Sequence, residues 1–263
     1  MGGDGTLSEA VSGYMAREPS AATCTLGFVP AGTGNTYLRE VLGLKAKSGL
    51  DACVRAAVAA ILGGRVRAVD AAKLELTGLG ENAERRISRY AINTVMAGFG
   101  PDANAAAERR RFLGPLRYNL SIYTELLKIP CRKPMPCTLT LDGKANALDD
   151  LFLLAIQNNK FTGIEHRLCP RAQLDDGLLD AVYTNRPIKG ICKAIALDSS
   201  VKGGGKHVLD PIVSYSRVTT ARFEAGTPTR VMVDGDIVGL TPLDVTAIKG
   251  AFPLFTPEDP APM

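Results

Sequence analysis

Gly2-Gly3-Asp4-Gly5-Thr6 stands at the front of the chain, and Pro30-Ala31-Gly32-Thr33-Gly34-Asn35 follows within the first forty residues. Each glycine-rich stretch precedes a segment with helical spacing. After the first, Leu7, Val11, Tyr14 and Met15 recur at one-turn intervals, so a helix is expected over 7–17. After the second, a short helix is expected from Thr36 to Leu42. Glycine permits positive φ and lets backbone N–H groups approach an anion, and a helix start directs its positive end to the same place. Two such loops together favour a phosphate cradle over two ordinary turns. Asp4 does not suit phosphate directly, because like charges repel. It suits contact with Mg²⁺ or acceptance of a hydroxyl proton, as carboxylates do in phosphoryl transfer. The plainer alternative is an Asx-turn residue. Thr6 and Glu9 have capping-box spacing, which accounts for Glu9 without any chemistry. Gly32 and Thr33 offer backbone approach and a hydroxyl after a short expected strand, Cys24–Val29, and ligands gather at that end of strands in open α/β sheets. Asn35 could instead cap the helix that follows.

Working outward, Asp51–Leu62 is an alanine-rich helix ending at Gly63-Gly64. Strand, loop and helix alternate up to that point, which predicts an α/β layer with parallel strands. From Arg65 the texture changes to short, β-prone, turn-bounded runs: Ala71–Thr77, Tyr90–Ala97, Thr138–Leu141, Leu151–Gln157, Leu178–Tyr183, Arg217–Phe223, Arg230–Val233 and Leu243–Ile248. Asp142-Gly143 and Asp234-Gly235 each separate two such runs, a strong hairpin signal. One helical stretch interrupts, with Leu116, Leu120, Tyr123 and Leu127 on one face. The expected fold class is therefore α/β plus β: a partial nucleotide-binding α/β domain over 1–66, then a mostly antiparallel, β-sandwich-like domain over 67–263.

Composition narrows the function classes. The 263 residues are 46% hydrophobic and 22% charged, which describes a folded globular chain. A net charge of +4 suits an anionic substrate or an anionic membrane surface. Nucleic acid is disfavoured, because tryptophan is absent and basic residues are scattered outside Arg109-Arg110-Arg111. The six cysteines form no C-x-x-C pair, which fits a reduced cytoplasmic compartment. No run is long and apolar enough to span a bilayer, so any membrane contact is expected to be peripheral, at the inner face. His166 and His207 have no partner at metal-ligand spacing and are expected on the surface or in loops. A homodimer is compatible with the sequence.

The two opening loops, G-G-D-G-T-L-S-E-A-V-S-G and L-G-F-V-P-A-G-T-G-N-T-Y-L-R, resemble the diacylglycerol kinase catalytic-domain family, which includes bacterial YegS-like lipid kinases and sphingosine kinases. The resemblance extends through Ala97–Asp102, Phe112–Tyr118, the D-D-G-x-L-D segment Asp175–Asp180, and Val231–Asp236, where the family has V-x-V-D-G-E. It implies ATP and a lipid substrate meeting between the two domains. It assigns phosphate contacts to Gly3, Asp4, Gly5, Thr6, Glu9, Gly32 and Thr33, with catalytic carboxylates at Asp4 and Asp236. By the same match a structural Mg²⁺ would be held by Asp176 and the carbonyls of Gln173 and Leu178, distinct from the Mg²⁺ accompanying ATP. A plain turn at Asp175–Gly177 is the alternative.

The departures from the family matter too. Asp236 replaces a glutamate one methylene longer. Thr36 stands where many members carry aspartate. The strand–helix–strand unit that should precede Gly2 is absent, so the chain is expected to be an N-terminally shortened member. Two other readings remain open: an NAD kinase-like enzyme sharing G-G-D-G-T, and a non-catalytic remnant that binds lipid or nucleotide.

Overall fold

The computed structural model describes residues 1–18, 24–32, 34–44, 48–80, 83, 85–114, 116–163 and 165–257. Thr33, Pro115 and the final Glu258–Met263 lie outside the described residues.

Helix α1 spans Asp4–Met15, three residues earlier than the spacing suggested. Gly3, extended at φ −97°, is its N-cap, and Gly3 O accepts the Leu7 N–H at 3.1 Å. Thr6 therefore sits inside the first turn, and Thr6 and Glu9 are both exposed, so no capping box forms. Two glycines suffice to start the helix, leaving Thr6 no capping position. Leu7 and Val11 are fully buried, each contributing roughly 1.5–3 kcal/mol of burial. The expected strand Cys24–Val29 is reduced to flanking parallel bridges, Gly2 to Pro30 and Leu26 to Leu254. Helix α2 is Thr36–Val41, with every residue but Arg39 buried. Helix α3, Leu50–Gly63, buries Cys53, Ala57 and Ala60 along one stripe and stops at Gly64, whose φ of 71° suits only glycine.

The remainder is built on one large antiparallel sheet. Among the described residues its strands are β1 (Val66–Thr77), β2 (Arg86–Ala91), β3 (Thr94–Gly98), β4 (Cys137–Leu141), β5 (Lys144–Leu148), β6 (Leu153–Gln157), β7 (Leu179–Thr184), β8 (Val213–Val218), β9 (Thr220–Ala225), β10 (Arg230–Val233) and β11 (Asp236–Phe255). They run in the order β5-β4-β9-β11-β10-β3-β6-β7-β8, with β1 joined to β11 and β2. The sheet curls over a core containing Leu74, Leu76, Leu139, Leu154, Ile156 and Phe223, which gives the β-rich part its sandwich-like form. Alternate residues of β1 serve two layers: Leu74 and Leu76 enter that core, while Val69 and Ala71 pack against Leu7, Val11 and Tyr37. The long β11 closes the molecule, because its end pairs with the start of β1 and with Leu26.

Two expected strands turn out to be broken. Tyr90–Ala97 divides at Ile92-Asn93 into β2 and β3, and Arg217–Phe223 divides at Thr219 between β8 and β9. Besides α5 (Leu116–Leu126), this part also carries α4 (Phe99–Glu108) and α6 (Ile191–Lys202), which the sequence reading did not anticipate. His207 is buried, its Nε2 donating to Leu168 O at 3.0 Å, and this corrects the expectation of a surface histidine. Among the described residues all six cysteines are free.

Candidate active site

The two glycine loops meet. A Cβ on Gly32 would fall 2.6 Å from the Gly3 Cα, and one on Gly3 would fall 3.2 Å from the Gly32 Cα. Only paired glycines allow this backbone approach. Ala31 N–H donates to Gly2 O at 2.6 Å, and Gly2 N–H donates to Val29 O at 3.1 Å. Asn35, left-handed at φ 50°, does not cap α2 with its side chain. It turns back on the loop, accepting from Gly32 N–H (3.0 Å) and donating to Gly32 O (2.6 Å).

The cap of α2 comes from the other loop. Asp4 Oδ2 accepts the Thr36 N–H at 2.7 Å, so a carboxylate on the first residue of α1 terminates the second glycine loop. Its Oδ1 is buried without a hydrogen-bond partner among the described residues. Burial raises the Asp4 pKa, while the bond from the Thr36 backbone pulls the other way and nearby Asp234 adds repulsion. Gly5 lies exposed in the first turn of α1.

Asp234 links this corner to the sheet. One helical turn after Asp4, the Ser8 hydroxyl donates to Asp234 Oδ2 at 2.6 Å. The same carboxylate accepts backbone N–H groups from Ile92 (3.0 Å), Asn93 (3.0 Å) and Thr94 (2.9 Å), the residues that interrupt the expected strand. Enclosure of the carboxylate raises its pKa, opposed by these four bonds. Asp236 follows two residues on, exposed, at the first position of β11. The hairpin is thus stitched to α1 through Asp234, and Asp236 lies two residues beyond that link.

Asp70 is a member of this region that the sequence reading overlooked. It is fully buried on β1, accepting from Gly177 N–H (2.6 Å) and Gly250 N–H (2.7 Å). Gly250, at φ 60°, belongs to the bulge where the β1–β11 register shifts. A lone aspartate in a β-prone run gives no sequence signal of that job. Tyr37 is also fully buried, with its hydroxyl unpartnered among the described residues. Burial foremost, then Glu40, Asp234 and Asp70, raises its pKa.

Asp70 anchors the Asp175-Asp176-Gly177 turn, and two arginines clamp it. Arg67 makes a paired contact with Asp175 at 2.5 and 2.6 Å, which lowers the Asp175 pKa. The guanidinium of Arg217 pairs with Asp176 Oδ2, while Asp176 Oδ1 accepts the Leu178 N–H at 3.0 Å. Gln173 is exposed. The Asp176 carboxylate is therefore neutralised by Arg217, and Mg²⁺ would have to displace that guanidinium. A cation on Asp176 and the Arg217 contact are therefore alternatives. Asp180, at the end of the segment, is pushed up to about 6 by burial and accepts the Tyr215 hydroxyl.

Residues 1–74 match the diacylglycerol kinase catalytic domain, and residues 93–256 match the YegS C-terminal NAD kinase beta sandwich-like domain. This chain belongs to the diacylglycerol kinase family. Among relatives, a diacylglycerol kinase of Mycobacterium tuberculosis is 28% identical over 98% of this chain and 75% of its own length. A probable lipid kinase YegS-like of Stenotrophomonas maltophilia is 25% identical over 97% of this chain and 77% of its own. A diacylglycerol kinase structure from Bacillus anthracis shares the fold, with a TM-score of 0.63 and 18% identity over 97% of this chain and 74% of that one. The relatives are named as lipid kinases, and the mixed α/β fold with a β-rich second part is the family's own.

Proposed function

We propose that this chain is an ATP- and Mg²⁺-dependent lipid kinase. It moves the γ-phosphate of ATP to a hydroxyl of a lipid such as diacylglycerol or a sphingoid base, a reaction that feeds phospholipid synthesis. One observation supports the reading: the Gly3–Gly32 contact, which brings the two glycine loops together beside the Asp4 carboxylate. Backbone around Gly3, Gly5, Thr6, Gly32 and Thr33 would hold the phosphates.

The lipid oxygen forms a bond to the γ-phosphorus while the bond to the bridging oxygen of ADP breaks. Asp236 accepts the proton of the incoming hydroxyl, its exposed position leaving it free to reach a substrate. Asp4 keeps Oδ2 on Thr36 and leaves Oδ1, buried and without a hydrogen-bond partner among the described residues, for the phosphate side. That free oxygen fits the Mg²⁺ accompanying ATP, which when bound neutralises phosphate charge. Asp234, bonded to Ser8, keeps α1 and the hairpin at a fixed separation. Free cysteines and the absence, among the described residues, of a helix able to cross a membrane support a cytoplasmic enzyme that meets its substrate from the membrane's inner side.

The test is transfer of radiolabelled γ-phosphate to a panel of lipids, with NAD as control. Labelled lipid and unlabelled NAD are expected. Labelled NAD alone would favour the NAD kinase-like reading, and no labelled product would leave a non-catalytic binding protein.

A further inference from the structure

Helix α5 packs Leu126 and Ile122 inward and also carries a second apolar stripe. An apolar stripe on a globular helix is expected to face the core; here it comprises Leu116, Leu120, Tyr123 and the following Leu127. These residues are instead 72%, 44%, 45% and 64% exposed. The buried side of the helix carries Ser121, packed at 0% exposure beneath the Arg110 guanidinium at 2.9 Å, together with Leu126. Phe112, in the turn before α5, extends the same apolar surface and is 83% exposed.

A soluble surface that displays five large apolar side chains in one stripe exposes a binding face. The charge around it indicates what binds. Residues 109–133 hold seven basic side chains and one acidic one, against a net +4 for all 263 residues, so the remainder of the chain is net acidic. Arg109 and Lys133 are exposed with no ion pair among the described residues, and Lys128 lies exposed beside Leu127. An amphipathic helix with leucine and aromatic residues on one side and basic residues at its flanks lies in the plane of an anionic bilayer. A protein partner would need acidic complementarity together with an apolar groove; an anionic lipid surface supplies both without further assumption.

We propose that α5 and the turn before it are the face by which this chain docks on anionic lipid membrane. The inference rests on the lipid-kinase reading for its purpose, and it adds the orientation of the enzyme at its substrate. Helix α4 leads from the site to this face: Asn104 Nδ2 donates to Gly235 O at 2.7 Å, between the two aspartates of the hairpin, and α4 packs on α5. Docking through α5 therefore brings the hairpin carrying Asp236 towards the lipid headgroup level.

The test is co-sedimentation of the full chain with vesicles, without ATP, at about 0.1 M salt. Binding to phosphatidylglycerol-containing vesicles and not to pure phosphatidylcholine is expected. Phe112→Ser with Leu116→Ser, and separately Arg109→Glu with Lys133→Glu, should each lower the partition coefficient roughly tenfold, with unchanged melting temperature. The proposal is overturned if the wild type stays in the supernatant, or if both double variants sediment like the wild type. It is equally overturned if the chain is a dimer that Phe112→Ser with Leu116→Ser dissociates while vesicles go unbound, which would make the face a contact with a second copy. Vesicle binding without phosphate transfer would keep this face and remove the kinase reading; transfer to detergent-dispersed lipid without vesicle binding would do the reverse.

Discussion

Two hairpins in this molecule share a local sequence and have different surroundings. Asp142-Gly143 joins β4 to β5, and Asp234-Gly235 joins β10 to β11. Both aspartates are left-handed, at φ 45° and 49°, and both glycines have positive φ, as a tight two-residue hairpin demands. Each aspartate also holds the break in a neighbouring pair of strands. Asp142 accepts from the backbone and hydroxyl groups of Thr219 and Thr220, and Asp234 from Ile92, Asn93, Thr94 and Ser8. Asp142 is exposed; desolvation raises its pKa, but its hydrogen bonds to Thr219 and Thr220 together outweigh that and lower it, whereas enclosure raises that of Asp234. The residue after the glycine is Lys144 in one hairpin and Asp236 in the other. A local motif specifies the turn, and the partners brought in from far along the chain decide what the turn is fastened to.

The largest effect should fall on that last residue. Asp236→Asn is expected to lower the rate of phosphate transfer by about 10²–10⁴-fold, with unchanged melting temperature. Lys144→Asp should leave the rate at wild type. Equal activity of Asp236→Asn and wild type in a lipid phosphorylation assay would erase the functional half of the comparison.

Stability should separate the two aspartates next. All four bonds to Asp142 converge on Oδ1, so Asp142→Asn keeps them and should cost under about 1 kcal/mol. The donors to Asp234 divide between both oxygens, so Asp234→Asn turns an N–H group toward Ile92 N–H. The Ser8 hydroxyl can reverse its role, but the Ile92 amide cannot. A loss of about 2 kcal/mol in urea unfolding is expected. Equal costs would mean that the enclosure of Asp234 carries no weight.

Titration should distinguish them by sign. The lowered Asp142 pKa gives a contribution fully present above the unfolded value near 3.8 and lost as pH falls through the folded value. The raised Asp234 pKa works oppositely: its ionised form is the costly one, so its contribution improves as pH falls from above the folded value towards 3.8. Unfolding free energies of wild type and each asparagine variant, measured from pH 7 down to 3.5, should diverge in opposite directions.

The smallest effect concerns the third acidic turn, Asp175-Asp176-Gly177. With Arg217 on Asp176, the wild-type melting temperature should be the same in EDTA and in Mg²⁺. Arg217→Met should cost about 1 kcal/mol, and added Mg²⁺ should then restore part of it. A wild-type melting temperature that rises with Mg²⁺ would put the cation, not the arginine, on Asp176.

The comparison also explains how much was legible in advance. Helices α1, α2 and α3 follow from glycine punctuation and apolar spacing, and both hairpins from Asp-Gly, because these signals are local. The breaks at Ile92-Asn93 and Thr219 were not, since the groups that satisfy their amides come from Asp234 and Asp142, far away in sequence. Helical spacing located α5 but not which way it faces, because periodicity gives a stripe and not its partner. Asp4 was recognisable from its loop, whereas its role as the cap of α2 needed Thr36 in place. Asp70 and Tyr37 left no pattern at all, being single polar residues whose neighbours meet only after folding.

The central claim is that the Asp4 loop and the Asp236 hairpin act as one unit on one phosphoryl group. A double-mutant cycle on the rate of phosphate transfer from ATP to lipid, with wild type, Asp4→Asn, Asp236→Asn and the double variant, tests it most directly. The account predicts strong non-additivity, with the double variant about as slow as the slower single one. Losses that simply multiply would contradict it, because they would mean that the two carboxylates act independently of one another.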